Sequence, residues 1–179
     1  MSSAPRFSRR LALVVAAVVV AVDAITKAIA ANLLAGRGQV SVLGGHLHLL
    51  LYRNHAGPGN SFEGHPVLVS LLSLGAVIAI AVLVTRVRAR STAVALGLLL
   101  GGGVGNLIDR LVTAPGPLRG GVIDWLQPSA HGGSMNLADL SINAALVVLI
   151  VGGVIEWWLA GRSRPPEPSE PSACESPGM

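Results

Sequence analysis

Four long apolar runs limit what this chain can fold into. A bilayer hydrocarbon core about 30 Å thick takes about 20 apolar residues in an α-helix. Leu11–Leu34, Pro66–Val87, Thr92–Val112 and Met135–Gly161 all meet that length, and stretches containing Gly, Pro and Arg separate them. The residues left over are too few for a separate soluble domain of ordinary size. The pattern therefore predicts an all-α membrane protein of four transmembrane helices, forming one domain over residues 1–161. Residues 162–179, rich in Pro, Ser and Glu, have the composition of a disordered tail. The single cysteine, Cys174, lies in that tail, which leaves no intrachain disulfide. Ser172-Ala173-Cys174 has the look of a lipidation site, but no hydrophobic run leads into it.

The formal net charge of +4 would suit nucleic acid, but the positions of the basic residues argue against it. Arg6, Arg9 and Arg10 precede the first run; Arg86, Arg88 and Arg90 fill the link between the second and third; Arg162 and Arg164 follow the fourth. Four crossings put all of these on one side, and leave Arg37, Arg53 and Arg119 on the other. The positive-inside rule then places both termini and the basic link in the cytoplasm. Trp157 and Trp158 fall at the inner interface, where indole rings commonly lie. Arg9-Arg10, an apolar run and Ala28-Ile29-Ala30 also have the outline of a cleaved leader, but Asp23 and Lys27 interrupt that run.

Walking each helix at about 1.5 Å per residue collects the intramembrane polar groups at one level. Asp23 and Lys27, spaced i, i+4, lie in the outer half of the first span. Asn106, Asp109 and Arg110 end the third, and Asn136 and Asp139 begin the fourth. Asp124 is expected in the outer loop just before the fourth span. Glu156 alone lies elsewhere, beside the tryptophans. A charge at the bilayer centre costs at least ~2.5–3.5 kcal/mol, so such residues pair or line a wet cavity. Ion pairs that lock the bundle account for Asp23 with Lys27 and for Asp109 with Arg110. Asp124 and Asp139 have no basic neighbour in sequence, which marks them as candidate functional groups.

The spans hold no His or Cys cluster, so no metal site is expected. His46, His48, His55, His65 and His131 all fall outside the spans and supply ordinary loop polarity. Ser70, Ser73 and Ser141 stand without a partnered base and read as packing residues. Two aspartates in a half-dry site can share one proton. The ionised member then takes a proton from attacking water, and the protonated member donates to the developing oxyanion. That chemistry hydrolyses a peptide bond without a metal or organic cofactor. Carboxylates at membrane depth also serve proton relays, so a proton-coupled small transporter stands as an alternative.

Five blocks between Asp23 and Asp139 together resemble one family, the lipoprotein signal peptidases (signal peptidase II). Asp23-Ala24-Ile25-Thr26-Lys27 is similar to its Asp-x-x-Thr-Lys, and Arg53-Asn54 to the start of its outer-loop motif. Residues Gly101 to Arg110 resemble its Gly-Gly-x-x-Gly-Asn-x-x-Asp-Arg. Val122-Ile123-Asp124-Trp125 resembles its Val-x-Asp-Phe, and Met135-Asn136-Leu137-Ala138-Asp139 its Phe-Asn-x-Ala-Asp. The resemblance implies a small extracytoplasmic β-cradle, for which Gln39–Tyr52 supplies strands. It also implies catalytic Asp124 and Asp139, with Asn54, Asn106, Asp109, Arg110 and Asn136 around the site and Asp23 and Lys27 in support. The implied partners are a diacylglyceryl-modified prolipoprotein, cut before its lipidated cysteine, and membrane lipid; a monomer with no nucleic-acid partner is expected.

One block departs from the pattern. The family usually follows Arg-Asn with x-Gly-Ala-Ala-Phe. This chain continues from Arg53-Asn54 as His55-Ala56-Gly57-Pro58-Gly59-Asn60-Ser61-Phe62. The loop is longer and contains a proline, which fixes φ and removes an N–H donor. An altered path is expected there, and a divergent relative with altered substrate choice, or one that binds without cutting, stands as an alternative.

Overall fold

The computed structural model describes residues 4–162 except 58, 60 and 131; the predicted tail lies outside the described residues. Four helices are long and apolar enough to cross a membrane. They are α1 (Ala4–Leu34), α2 (Pro66–Arg86), α3 (Arg90–Val112) and α4 (Leu137–Arg162). Three strands connect their ends: β1 (Val40–Val42), β2 (Leu47–Asn54) and β3 (Val122–Gln127). The chain's course puts all three strands at one end of the bundle. The α2–α3 link and the start of α1 lie at the other.

Hydropathy locates the helices well, with limits for α2, α3 and α4 within about two residues of the expected ones. The start of α1 is different. Its helix begins at Ala4, before the apolar run, and carries Arg6, Arg9 and Arg10 in helical conformation. Arginine and serine do not end a helix, so hydropathy marks the membrane edge rather than the helix edge.

The central helix is α3, which packs against α1, α2 and α4. Half of its apolar window is buried, against 17% for those of α2 and α4. Small residues permit this. A Cβ added at Gly97 would lie 2.6 Å from the Ala12 carbonyl oxygen, and one at Gly101 would lie 2.6 Å from Val19 Cβ. At Gly102 it would meet the Ala138 carbonyl oxygen at 2.6 Å, on α4. Ala12 and Ala93, both fully buried, continue the α1–α3 seam. Such small-residue rows let helix backbones approach where lipid supplies no hydrophobic drive between helices. Ser141 adds a bond from α4 to the Leu98 carbonyl of α3 at 3.2 Å, the packing role expected of it. The outward faces remain apolar, with Val14, Val18, Ile25 and Ile150 among the exposed residues, as a lipid-facing surface requires.

The strands form one antiparallel sheet in the order β1-β2-β3. The expected stretch Gln39–Tyr52 does supply two of them, but the third corrects the sequence reading. Asp124 lies in β3, not in a loop. The register of β2 on β3 slips by one residue between Leu49 and Tyr52, so that Leu49 faces Leu126 whereas Tyr52 faces Asp124 and Asn54 faces Val122. This bulge decides which side chains share a face. Beyond it Tyr52, Asn54, Val122 and Asp124 all point one way. His48 is a second correction: it is buried in β2, with Nδ1 3.0 Å from Ser41 Oγ, rather than serving as loop polarity.

Candidate active site

Asp124 meets α4 because the free edge of β3 holds the residue just before that helix. Met135 N donates to the Leu126 carbonyl at 2.8 Å and Leu126 N to the Met135 carbonyl at 2.9 Å. Asn136 then stands at the N-cap of α4. Its Oδ1 accepts from Asp139 N at 3.0 Å, while Asp139 Oδ2 accepts from Asn136 N at 3.2 Å. This reciprocal capping fixes Asp139 in the first turn. Asp23 reaches across from α1 to accept from Ala138 N at 2.9 Å. Two carboxylates thus satisfy N–H groups that a helix start leaves open.

The side chains of Asn136 and Asn106 join the two aspartates. Asn136 Nδ2 donates to Asp124 Oδ1 at 2.7 Å and to Asn106 Oδ1 at 3.1 Å. Asn106 Nδ2 donates to Asp139 Oδ1 at 2.8 Å. From β2, Asn54 Nδ2 donates to Asp124 Oδ2 at 3.2 Å. The Asn54 Oδ1 accepts from Ala56 N at 3.1 Å and Gly57 N at 2.9 Å. That side-chain turn starts the atypical loop, and Gly57 takes φ +77°, a conformation glycine adopts without steric cost. The altered loop is thereby anchored at the residue that contacts Asp124.

Lys27 organises a second group. Its Nζ lies 2.6 Å from Asp23 Oδ2, 2.8 Å from Asp109 Oδ2 and 3.2 Å from Asn106 Oδ1. The expected Asp109–Arg110 ion pair is not formed. Adjacent residues on a helix point about 100° apart, so Asp109 turns towards α1 and Arg110 does not follow it. Asp109 Oδ2 also accepts from Ile123 N at 3.0 Å, which ties α3 to β3 beside Asp124. Arg110 donates to the Asn106 carbonyl at 3.4 Å and lines the central cavity.

That cavity, about 530 Å3, lies between α2, α3 and α4 beneath the sheet. Asn54, Asn106, Arg110, Asp124 and Asp139 form its polar end, and Val77, Ile80, Leu99 and Ile142 an apolar wall. Asp124 is only 1% exposed, whereas Asp139 is partly open. Burial, and then the neighbouring Asp139 carboxylate, push Asp124 up to about 6 from an ordinary 3.8, against the hydrogen bonds from Asn136 and Asn54. Every residue expected at the site is in this connected layer. Asn143, on the cavity wall at i+4 from Asp139, escaped the sequence reading. Its signal was the same as for the aspartates, a polar side chain at membrane depth on the same helical face.

Known proteins resemble this chain in sequence and in fold. A family model for Signal peptidase (SPase) II matches residues 15–155. A lipoprotein signal peptidase of Mycolicibacterium smegmatis is 36% identical over 174 residues, covering 96% of this chain and 74% of the relative. One from Mycobacterium avium is 37% identical, covering 79% and 78%. One from Rhodococcus jostii is 37% identical, covering 80% and 72%. Two solved structures described as bacterial membrane enzymes share the fold. The first has a TM-score of 0.72 at 21% identity, covering 88% of this chain and 94% of that one. The second has a TM-score of 0.67 at 23% identity, covering 79% and 90%. With a matching family model across most of its length and relatives above a third identical, the chain belongs to the signal peptidase II family.

Proposed function

We propose that Asp124 and Asp139 are the catalytic pair of this membrane protease, and that they work as an aspartic dyad. Its substrate is a diacylglyceryl-modified prolipoprotein, cut immediately before the lipidated cysteine. The observation that carries this is the cavity's construction: two carboxylates, joined by asparagines and, among the described residues, bonded to no cation, stand where a polar end meets an apolar wall. The membrane-embedded wall suits acyl chains and a signal helix, while the polar end suits a scissile peptide. Proton-coupled transport has no support from the relatives.

The mechanism follows from the environments of the two acids. Asp124, buried and raised towards neutrality, carries the shared proton; Asp139, more open, is the base. A water between them gives a proton to Asp139 as its oxygen attacks the carbonyl carbon before the cysteine. Asp124 donates its proton to the carbonyl oxygen, giving a neutral tetrahedral diol. Its collapse breaks the C–N bond, the cysteine nitrogen takes a proton from Asp139, and Asp124 recovers its own. Asn54, Asn106 and Asn136 hold the acids in place without supplying or removing charge, and Arg110 offers a cation for oxyanion character in the cavity.

Arg6, Arg9, Arg10, Arg86, Arg88 and Arg90 all lie at the end opposite the aspartates, which supports a cytoplasmic location for that end. The site then opens near the outer face of the inner membrane, and a single copy of the chain holds every residue it uses. Purified protein and a diacylated lipobox peptide provide the direct test. Cleavage before the lipidated cysteine, lost in Asp124→Asn and in Asp139→Asn, is expected. Wild-type rates in either variant exclude the dyad.

A further inference from the structure

The end of the bundle opposite the aspartates has a built cleft of its own. Helix α1 continues past its apolar run through Arg10, Arg9 and Arg6, and its first turns are held in place. Ser8, 2% exposed, donates to the Arg88 carbonyl at 2.6 Å, and the Arg90 guanidinium stands 5.0 Å from the centre of the Phe7 ring. With spacing i, i+3, i+4, the three arginines share one helix face. That face borders a cleft of about 460 Å3 between α1 and α2, whose other walls include Leu13, Ala81 and Leu100. Val84 and Leu100, 4% and 8% exposed, line it from α2 and α3. It shares no lining residue with the catalytic cavity. Among the described residues, none of the three arginines has a salt-bridge partner.

We propose that this cleft binds one anionic glycerophospholipid of the surrounding bilayer. The guanidiniums take the phosphate diester and the apolar wall takes the start of an acyl chain. The charge is complementary: three cations without a carboxylate face one opening, and arginine's planar fork matches phosphate oxygens two at a time. The gradient is complementary as well, because arginines stand at the helix end, where headgroups lie, while Leu13 and Leu100 stand deeper along the spans. An arginine stretch without fixed structure would attract anionic lipid only diffusely; here the helix and its anchors at Ser8 and Phe7 set the three groups over an apolar cleft.

The test is native mass spectrometry of the full chain in neutral detergent, offered phosphatidylglycerol or phosphatidylcholine. At least about a tenfold preference for one bound phosphatidylglycerol is expected, because basic residues at the membrane surface favour anionic over zwitterionic lipid. Arg6→Gln with Arg9→Gln and Arg10→Gln abolishes the preference. Because that variant also alters the charge that orients the chain, Ala81→Trp serves as the second: it keeps all three cations, fills the cleft and also removes the bound lipid. Equal retention of the two lipids by the wild type overturns the proposal. So does full retention by Ala81→Trp, which reveals diffuse attraction rather than a site. Millimolar inorganic phosphate leaves the lipid bound; complete displacement identifies a plain anion site and overturns the lipid assignment. Removing residues 163–179 leaves binding unchanged, whereas lipid binding that appears only after removal makes the tail the occupant and overturns it.

Discussion

Two pairs of carboxylates lie in one layer of this bundle, and they are held in different ways. Asp23 and Asp109 share the Lys27 ammonium, at 2.6 Å and 2.8 Å. Asp124 and Asp139 receive amide donors from Asn54, Asn106 and Asn136 and, among the described residues, make no ion pair. A shared cation offsets part of its partners' charge and ties them in place. An amide donor positions a carboxyl but leaves a proton free to come and go. The same residue type at the same depth is thus structural in one pair and suited to reaction in the other. The pairs are nevertheless connected, because Lys27 also donates to Asn106, which donates to Asp139.

The widest separation between the pairs is expected in activity. Asp124→Asn and Asp139→Asn lower cleavage of a diacylated peptide by at least about 10³-fold, at the scale of general acid–base catalysis. Their thermal midpoints move by only a few degrees, about 1 kcal/mol. Lys27→Met reverses the pattern. It leaves Asp23 and Asp109 buried without a cation, and a destabilisation of about 3–5 kcal/mol is expected in denaturant titration. Replacing Asp23 with Asn in the same chain recovers part of that loss, since one uncompensated charge has been removed.

A pH profile sharpens the contrast. Asp124 holds its proton below about 6 and loses it above, so kcat/KM of the free enzyme falls as pH rises through about 6. The stability effect has the same sign. A carboxyl whose folded pKa exceeds its unfolded value of 3.8 stabilises the fold at low pH, and that contribution is lost between about 3.8 and about 6. Asp124→Asn flattens both curves in this window. The smallest effect belongs to Asn54→Ala, which removes one of the two amide donors to Asp124. About a tenfold loss of activity is expected, and the alkaline limb moves to higher pH because a bond to the ionised form is gone.

Much of this was legible in the sequence. Hydropathy places the helices, charge bias orders their ends, and depth collects the polar layer without reference to any relative. Other parts were hidden, and for the two nearest the aspartates the reason is definite. The strand Val122–Gln127 has β-branched and aromatic residues after Gly120-Gly121, but an aspartate in its middle argues against a strand until a buried partner for it is known. The Asp109–Lys27 pair joins residues on two helices, and Arg110 beside Asp109 in sequence is a nearer but geometrically wrong partner. Local pattern locates elements; partners across the bundle depend on rotation of each helix about its axis. The seam of Gly97 and Gly101 against Ala12 and Ala16 settles that rotation for α1 and α3.

The slipped register between Leu49 and Tyr52 implies that this chain tolerates insertions and deletions unequally. Losing one residue from Leu50-Leu51 would remove the bulge and leave Tyr52 opposite Asp124, whereas gaining one there without enlarging the bulge would turn Tyr52 and Asn54 to the opposite face of the sheet and take Asn54 off Asp124, although no residue of the site had been replaced. A few positions later the loop begins, and there the chain departs in length from its family's usual pattern while its first turn stays fixed by Asn54. Within β2, then, a gained residue displaces Asn54 from Asp124, while a lost one straightens the strand and leaves the pairing intact.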